Sequence, residues 1–189
     1  MVWTFEKLLI ELCAPTLMGV KPASLFRYQA DDITNVFDEV DCWNKELYRH
    51  GITITILKEC QRQNSFLIYV YRKNKLNEIL QDEDVKSFLS EQGYRVNEGI
   101  NSYLQTLSTR LCLNQDFPHE IGIFLGYPLD DVIGFIENEG KNCTLCGDWK
   151  VYHNPRKAMR QFNIFKKCTQ YCKERFAHGA TIVQLAVAA

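Results

Sequence analysis

The spacing of apolar residues changes from a helical period to a strand period within the first seventy residues. Residues 3–12 form a short helical pattern, and Pro15 and Pro22 predict that this helix ends early and gives way to a turn and a buried strand. Across residues 31–50 the apolar positions fall on one side of a second helix, opened by two aspartates. Gly51 is placed to end that helix.

The next segments predict a β-hairpin. Residues 52–57 alternate between apolar and polar, and residues 65–72 are rich in β-branched and aromatic side chains. The remaining predicted elements are, in chain order, helices over 73–81, 83–92 and about 97–112, a short strand over 149–152, a long helix over 154–176 and a last strand in the tail 181–188. The pattern predicts a mixed α/β (α+β) fold with a small sheet, a helix-rich middle and a long C-terminal helix.

Residues 117–140 predict two helices joined at a glycine corner. The first helix opens near Pro118, and Gly126 and Gly140 are placed to end the two helices, because glycine adopts the left-handed conformation that closes a helix. Two further glycines inside the helices predict close approach of neighbouring elements. These are Gly122 and Gly134.

Length and composition predict one soluble domain. The chain has 189 residues, a net charge of −1 and 46% hydrophobic residues, which suit a single packed core without a general attraction to nucleic acid or anionic membranes. No internal repeat, basic leader or membrane-length apolar stretch is present, so we expect a cytoplasmic protein with no membrane partner. In that compartment the eight cysteines are expected to be reduced or to bind metal.

The glycine corner has the spacing of a DNA-binding helix-turn-helix, but its charge is wrong. Gly122, Gly126 and Val132 match that spacing. The helix that would enter the groove, residues 128–139, carries four carboxylates and no Lys or Arg. Because cationic side chains supply most non-specific affinity for DNA, nucleic acid is an unlikely partner and a packing corner is the better interpretation.

Two pairs of cysteines predict a possible zinc site. Cys143 and Cys146 form a Cys-x-x-Cys-Gly turn typical of zinc knuckles, and Cys168 and Cys172 lie one helical turn apart. If the long helix folds back along the preceding strand, the four thiolates could hold Zn²⁺. An iron–sulfur site has less support because no known cluster spacing occurs, a redox role is weaker because a strand follows the first pair, and Cys172 also fits a buried core position.

His119 and Glu120 are the candidate acid–base pair. They lie together at the start of the first corner helix, but no second histidine completes a metalloprotease motif. An enzyme would use them around a cleft, with Cys13 or Lys21 as further catalytic groups. The alternative is a helix cap or a surface pair.

Four residues are candidates for ligand binding. Lys21 follows a predicted buried strand and could hold an anion, although such a lysine is more often solvated. Trp149, Lys150 and Tyr152 could present an aromatic strand face to a ligand, although covering the core is the better interpretation. Phosphate-binding glycine loops and a nucleophile elbow are absent from the sequence.

Charge is unevenly distributed along the second half of the chain. Residues 115–140 hold six acids and no Lys or Arg, whereas residues 141–175 hold nine Lys or Arg and two acids. The expected consequence is internal pairing of the acidic corner with the basic helix. The alternative is a partner-binding basic face around Arg156, Arg160 and Lys167.

Three segments carry a resemblance to a known family: CAPTLMGVKPASLF, FPHEIGIFLGYPLDDVIGFI and WKVY. Together they resemble an uncharacterised family, labelled as a domain of unknown function, that occurs mainly in clostridia-type anaerobic bacteria. The resemblance implies a cytosolic bacterial protein, with a link to redox or metal physiology, and implies no particular reaction, cofactor or catalytic residue.

These patterns favour a cytosolic binding or accessory protein that recognises a small ligand or a protein partner. An enzyme with a His/Glu acid–base site is the first alternative, and it requires His119, Glu120 and their helpers to converge on one pocket. A zinc-stabilised interaction module is the second.

Overall fold

A three-stranded antiparallel sheet lies between two groups of helices. The computed structural model describes residues 4–29, 33–113 and 117–187, and its main strands are β1 (Ala23–Gln29), β2 (Ile52–Cys60) and β3 (Ser65–Arg72). The hairpin of β2 and β3 confirms the prediction. β1 pairs antiparallel with the other edge of β3, which makes β3 the central strand.

The helices surround this sheet and outnumber the strands. They are α1 (Phe5–Leu17), α2 (Ile33–Leu47), α3 (Lys73–Gln81), α4 (Glu83–Glu91), α5 (Ile100–Leu113), α6 (Ile121–Phe124), α7 (Leu129–Glu137), α8 (Pro155–Ala177) and α9 (Ile182–Leu185), with a two-stranded hairpin of β4 (Leu145–Cys146) and β5 (Lys150–Val151) before α8. The predicted mixed α+β fold with a long C-terminal helix is confirmed. The two aspartates predicted to open α2, Asp31 and Asp32, lie outside the described residues.

Both faces of the central strand are buried. Phe66, Ile68 and Val70 contribute to a core that also takes residues from α1, α2, α8 and α9. Tyr69 and Tyr71, on the opposite face, pack in a second core with α3, α4, α5 and the α6–α7 corner. Among the helices of the described residues, none combines the length and the apolar character that a membrane span needs.

Helix α1 is longer than the sequence predicts, because it continues through Pro15 to Leu17. Its C-terminal residues from Cys13 to Leu17 are all buried, so tertiary packing outweighs the loss of one helical hydrogen bond at proline. The carbonyl group of Pro15 accepts hydrogen bonds from the amides of Val20 (2.8 Å) and Lys21 (3.0 Å), which turns the chain toward β1. The early end predicted from Pro15 is therefore wrong.

The predicted tail strand is also wrong, because residues 182–185 form the short helix α9. Thr181 and Gln184 form a reciprocal capping box at its start, in which each side chain accepts a hydrogen bond from the backbone amide of the other residue. Such a box stabilises a helical first turn. Ile182 and Leu185 then bury against the core that contains α1.

The glycine corner is confirmed, with a shorter first helix than predicted. The helical part of the first arm begins at Ile121 rather than at Pro118, and α7 forms the second arm. Gly126 has φ of +78°, and a Cβ atom there would lie 2.1 Å from Cγ of Pro22. The corner therefore needs glycine at this position both for its backbone conformation and for contact with the loop before β1.

Candidate functional site

The α6–α7 corner and the β4–β5 hairpin enclose a cleft of about 500 Å³, which we call the aromatic cleft. Its volume falls in the range of roughly 300–1,000 Å³ that small-molecule sites occupy. Four aromatic side chains line it: Phe117, Tyr127, Phe135 and Trp149. Of the candidate residues predicted from the sequence, His119, Cys146, Trp149 and Lys150 also line this cleft.

Asp131 attaches the hairpin to the corner and so fixes the shape of the cleft. Its side chain is only 2% exposed. The indole N–H of Trp149 donates to Oδ2 over 2.7 Å, and the backbone amides of Tyr152 and His153 both donate to Oδ1 over 2.8 Å. Hydrogen bonds to an ionised carboxylate are about twice as strong as neutral ones. The two walls of the cleft are therefore held together before any ligand arrives.

Trp149 joins three elements through its ring. It stacks on Tyr127 with 5.1 Å between centroids and meets Phe162 of α8 edge-on at 4.6 Å. Gly147 also lies against Phe162, because a Cβ atom there would be 2.2 Å from the ring. These contacts place the tip of the hairpin on α8. The rings that line the cleft thus belong to a packed cluster and are not free side chains.

Two basic side chains flank Phe135 at one end of the cleft. The imidazole of His119 packs against this ring with 4.8 Å between centroids. The ammonium of Lys150 lies 5.6 Å from the same centroid and donates to the carbonyl of Gly140 over 2.6 Å. The remaining ammonium protons of Lys150 can serve a ligand. This end of the cleft can therefore recognise a hydrogen-bond acceptor.

Tyr152 does not share the role predicted for its neighbours. Its ring packs on Gly134 of α7, where an added Cβ atom would lie 2.7 Å from Cγ of the tyrosine. Gly134 is therefore a close-approach glycine, as the sequence predicts. The side chain fastens the hairpin to α7, whereas Trp149 and Lys150 line the cleft.

The structure separates Glu120 from His119. Glu120 is 2% exposed and accepts hydrogen bonds from the Tyr94 hydroxyl (3.0 Å) and from Nε of Arg110 (2.5 Å). Burial and the neighbouring Glu120 carboxylate raise the pKa of Tyr94, which keeps its hydroxyl protonated as a donor. Glu120 is thus the acceptor of a buried ion pair behind the cleft, and the predicted acid–base pair with His119 is not formed.

Cys13 and Lys21 lie outside the aromatic cleft. Cys13 is fully buried in the core around α1, and burial raises the pKa of its thiol to about 12. A thiol in that state is a poor nucleophile at neutral pH. Lys21 lines a separate cavity beside α8. The convergence on one pocket that the enzyme hypothesis requires is therefore not observed.

The four paired cysteines occupy two different places. Cys143 and Cys146 lie in the β4–β5 hairpin region, whereas Cys168 and Cys172 are buried on α8. Burial raises the pKa of Cys172 to about 11, in the core that it shares with α1. Over residues 4–29, 33–113 and 117–187 there is no group of three or more His, Cys, Asp or Glu residues arranged to hold a metal.

The fold-back of α8 explains why the pairs do not meet. The hairpin contacts α8 at Phe162, six residues before Cys168, and the helical rise places that cysteine about 9 Å further along the axis. The structure thus does not assemble the four-cysteine set expected from the sequence. Binding of Zn²⁺ stays a prediction.

The expected pairing of the acidic corner with the basic helix is also wrong for the described residues. In the corner, Glu120 pairs with Arg110 of α5 (2.5 Å) and Glu139 pairs with Lys141 (2.9 Å), whereas Lys173 of α8 pairs with Glu11 of α1. The one fully buried acid of α7, Asp131, is bound mainly by backbone amides and an indole. Asp130 and Glu137 are exposed, so α7 presents carboxylates to solvent, and binding to DNA stays disfavoured on charge.

Sequence reasoning missed Asp131 and Tyr127 as site residues. The sequence indicates only that Asp131 is an acid in the first turn of a helix. Its hydrogen-bond partners lie 18 to 22 positions further along the chain. Tyr127 precedes a proline at the corner, and nothing local indicates that it stacks on Trp149. Both assignments depend on tertiary contacts between the corner and the hairpin.

Comparison with known proteins gives a family and no activity. A family model described as "Protein of unknown function (DUF3793)" matches residues 9–186. No curated protein and no solved structure matches the chain. The matched region contains the second core and every residue that lines the aromatic cleft, and all of the first core except Phe5 and Leu8. The chain therefore belongs to the DUF3793 family of proteins of unknown function.

Proposed function

We propose that this protein is a binding protein whose aromatic cleft takes a small, planar and mostly apolar ligand. The observation that carries the proposal is the cleft itself, about 500 Å³ in volume and lined by four aromatic rings. Rings of this kind give a planar ligand a large apolar contact area and defined stacking geometry. As the family resemblance implies, we place the protein in the bacterial cytoplasm.

The rigidity of the cleft supports binding rather than a passive packing defect. Asp131 receives three hydrogen bonds from the hairpin, and Trp149 is held by Tyr127 and Phe162. A site that is formed in advance spends less free energy on ordering side chains when the ligand binds. Preorganisation of an apolar cleft is the usual design of small-molecule sites.

The polar groups at one end suggest how the ligand is oriented. Lys150 keeps ammonium protons available beside Phe135, and His119 packs against the same ring. A ligand with one acceptor group on a flat apolar body would place the acceptor at Lys150 and the body against Trp149. We assign no reaction to the cleft, because in the described residues the side chains of Cys146 and His119, which line it, form no hydrogen bond with an acid or a base.

Filling the cleft is expected to abolish dye binding. Cys146 is exposed in β4 and lines the cleft, so Cys146→Phe places a ring where the ligand would lie. We expect the parent protein to enhance the fluorescence of the uncharged dye N-phenyl-1-naphthylamine, and the variant to bind it about tenfold more weakly or worse, a loss of at least ~1.4 kcal/mol. Dye titration followed by emission measures both affinities.

A second cysteine provides the matched control. Cys42 is exposed on α2 and does not line the cleft, so Cys42→Phe should leave dye affinity within about twofold of the parent, since a distant surface change has little effect. Absence of dye binding by the parent, or equal affinities for the two phenylalanine variants, would refute the proposed function.

A further inference from the structure

A second cavity of about 500 Å³ lies where α1, α8 and the tip of the β4–β5 hairpin meet, and we call it the lysine cavity. Its charged lining residues are Glu11, Lys21, Asp148, Lys166 and Lys173. Leu12, Phe162 and Phe165 supply apolar surface beside them. The lysine cavity therefore combines cationic groups with an apolar wall.

Lys21 is the unusual member of this set. Its ammonium lies 5.3 Å from the ring centroid of Tyr127 and 5.6 Å from that of Phe165. In the described part of the chain no hydrogen bond or ion pair within 4.0 Å engages this ammonium. Aromatic faces stabilise a cation without neutralising it. The side chain thus presents an uncompensated charge to the cavity that it lines.

The Lys21 ammonium is partly removed from water by its surroundings. Burial lowers the pKa of Lys21 below its ordinary value, and the negative charge of Asp148 and the nearby Cys13 act in the opposite direction. A partly desolvated ammonium gains more from an anionic partner than a solvated one does, because the effective dielectric constant is lower. An anion in the cavity would supply that partner.

The charges of the lysine cavity leave a surplus of one positive charge. Lys173 forms an ion pair with Glu11. The other charged lining residues are then two cations, Lys21 and Lys166, and one anion, Asp148. In the described residues Asp148 forms no ion pair within 4.0 Å with either lysine. A ligand with one negative charge would complete the balance, whereas a second negative charge would be repelled by Asp148.

We infer that the lysine cavity binds a small monocarboxylate with a compact apolar body. The carboxylate lies between Lys21 and Lys166, and the body lies against Phe162, Phe165 and Leu12. This site goes beyond the proposed function, because it uses other residues and a ligand of different charge. It borders the aromatic cleft, because the ring centroid of Tyr127 of that cleft lies 5.3 Å from the Lys21 ammonium and Tyr127 donates its hydroxyl to the carbonyl of Asp148, and Trp149 contacts Phe162.

Benzoate is the probe, and benzamide is its neutral counterpart. We expect benzoate to shift the backbone amide NMR signals of α8 in a saturable way, and benzamide to bind at least about tenfold more weakly, because a charge-assisted hydrogen bond is lost. Phenyl phosphate, which carries nearly two charges at neutral pH, should bind no more tightly than benzoate. Equal binding of benzoate and benzamide, or tighter binding of phenyl phosphate, would overturn the inference.

Lysine variants test the residues. Lys166 and Lys167 are exposed neighbours on α8, but only Lys166 lines the cavity. Lys166→Gln should weaken benzoate about three- to tenfold, whereas Lys167→Gln should leave it unchanged. Lys21→Met should weaken it at least about tenfold, and Asp148→Asn should strengthen it, because a repulsive charge is removed. Equal affinities for the two glutamine variants, or an unchanged Lys21→Met, would contradict the assignment.

The two sites can be tested separately. Cys146→Phe, which fills the aromatic cleft, should leave benzoate affinity unchanged, and Lys166→Gln should leave binding of the uncharged dye unchanged. Loss of benzoate binding in Cys146→Phe would show that benzoate occupies the aromatic cleft, and the lysine cavity would then not be the carboxylate site.

Discussion

Replacing Arg72 by methionine is expected to lower the free energy of unfolding by about 3–5 kcal/mol, because four carbonyl groups lose hydrogen bonds from a buried charged donor. Arg72 ends the central strand β3 and is only 4% exposed. Its guanidinium donates to four carbonyl groups: Thr16 at 2.6 Å, Leu17 at 2.6 Å, Val187 at 2.8 Å and His50 at 3.1 Å. These carbonyls belong to three separate segments: the end of α1, the turn before Gly51 and the chain after α9.

The size of this effect follows from what methionine would leave behind. The carbonyls of Thr16 and Leu17 each also accept a backbone amide, from Gly19 (3.1 Å) and Val187 (3.0 Å), so methionine removes one of two donors there. The carbonyls of His50 and Val187 lose the donor that Arg72 supplies. Each buried acceptor left without a donor costs about 1–3 kcal/mol, reduced where water can enter. Burial lowers the pKa of Arg72, but its ordinary value is so high that the guanidinium remains charged at neutral pH.

Urea unfolding at neutral pH measures the change. Arg49→Met is the control, because Arg49 is exposed in the turn before Gly51 and should change stability by less than about 0.5 kcal/mol. Arg72→Lys should fall between the two, since a single ammonium keeps the charge but cannot reach all four carbonyls. An Arg72→Met variant within 1 kcal/mol of the parent would show that water replaces the guanidinium at little cost.

Local sequence patterns predict correctly the elements that depend on residues close together in the chain. The β2–β3 hairpin follows from alternation and β-branched composition on both sides of a short connection, and Gly126 adopts the left-handed backbone expected of a helix stop. The pairing of β1 with the far edge of β3 carries no comparable local signal, because the partners are about forty residues apart.

The two wrong elements failed for different reasons. In α1 the helix-breaking tendency of Pro15 is outweighed by burial of the last turn and by the Arg72 guanidinium. In α9 the local signal was present, since Thr181 and Gln184 form the Ser/Thr-x-x-Glu/Gln spacing of a capping box. This box stabilises a helical first turn, so residues 182–185 form a helix where a strand was predicted.

The candidate site shows the same division. His119, Trp149 and Lys150 line the cleft and could be named from the sequence, because their side chains can bind ligands and they lie at or near the start of predicted elements. Glu120 was misassigned, since its partners Tyr94 and Arg110 come from other elements. The expected meeting of the two cysteine pairs depends on where the hairpin contacts α8, and the sequence does not show that this contact is at Phe162, six residues before Cys168.

Replacing Asp131 by alanine is expected to lower the free energy of unfolding by about 2–4 kcal/mol and to open the aromatic cleft. The substitution leaves the buried amides of Tyr152 and His153 and the indole N–H of Trp149 without their acceptor. Each lost partner costs about 1–3 kcal/mol, less whatever water recovers once the hairpin separates from α7. The hydrogen bonds from the amides of Tyr152 and His153 to Asp131 also position the Tyr152 ring against Gly134. Their loss is therefore expected to weaken this contact between the hairpin and α7.

Two measurements distinguish this local release from general destabilisation. Amide hydrogen exchange should accelerate over residues 145–153 more than in β3, because the hairpin opens before the sheet does. Urea unfolding gives the total change, and Asp130→Ala is the control, since Asp130 is the exposed neighbour on the same helix. Unchanged protection of the hairpin in Asp131→Ala would mean that the ring contacts of Trp149 with Tyr127 and Phe162 alone hold it, and dye binding in the cleft should then survive the substitution.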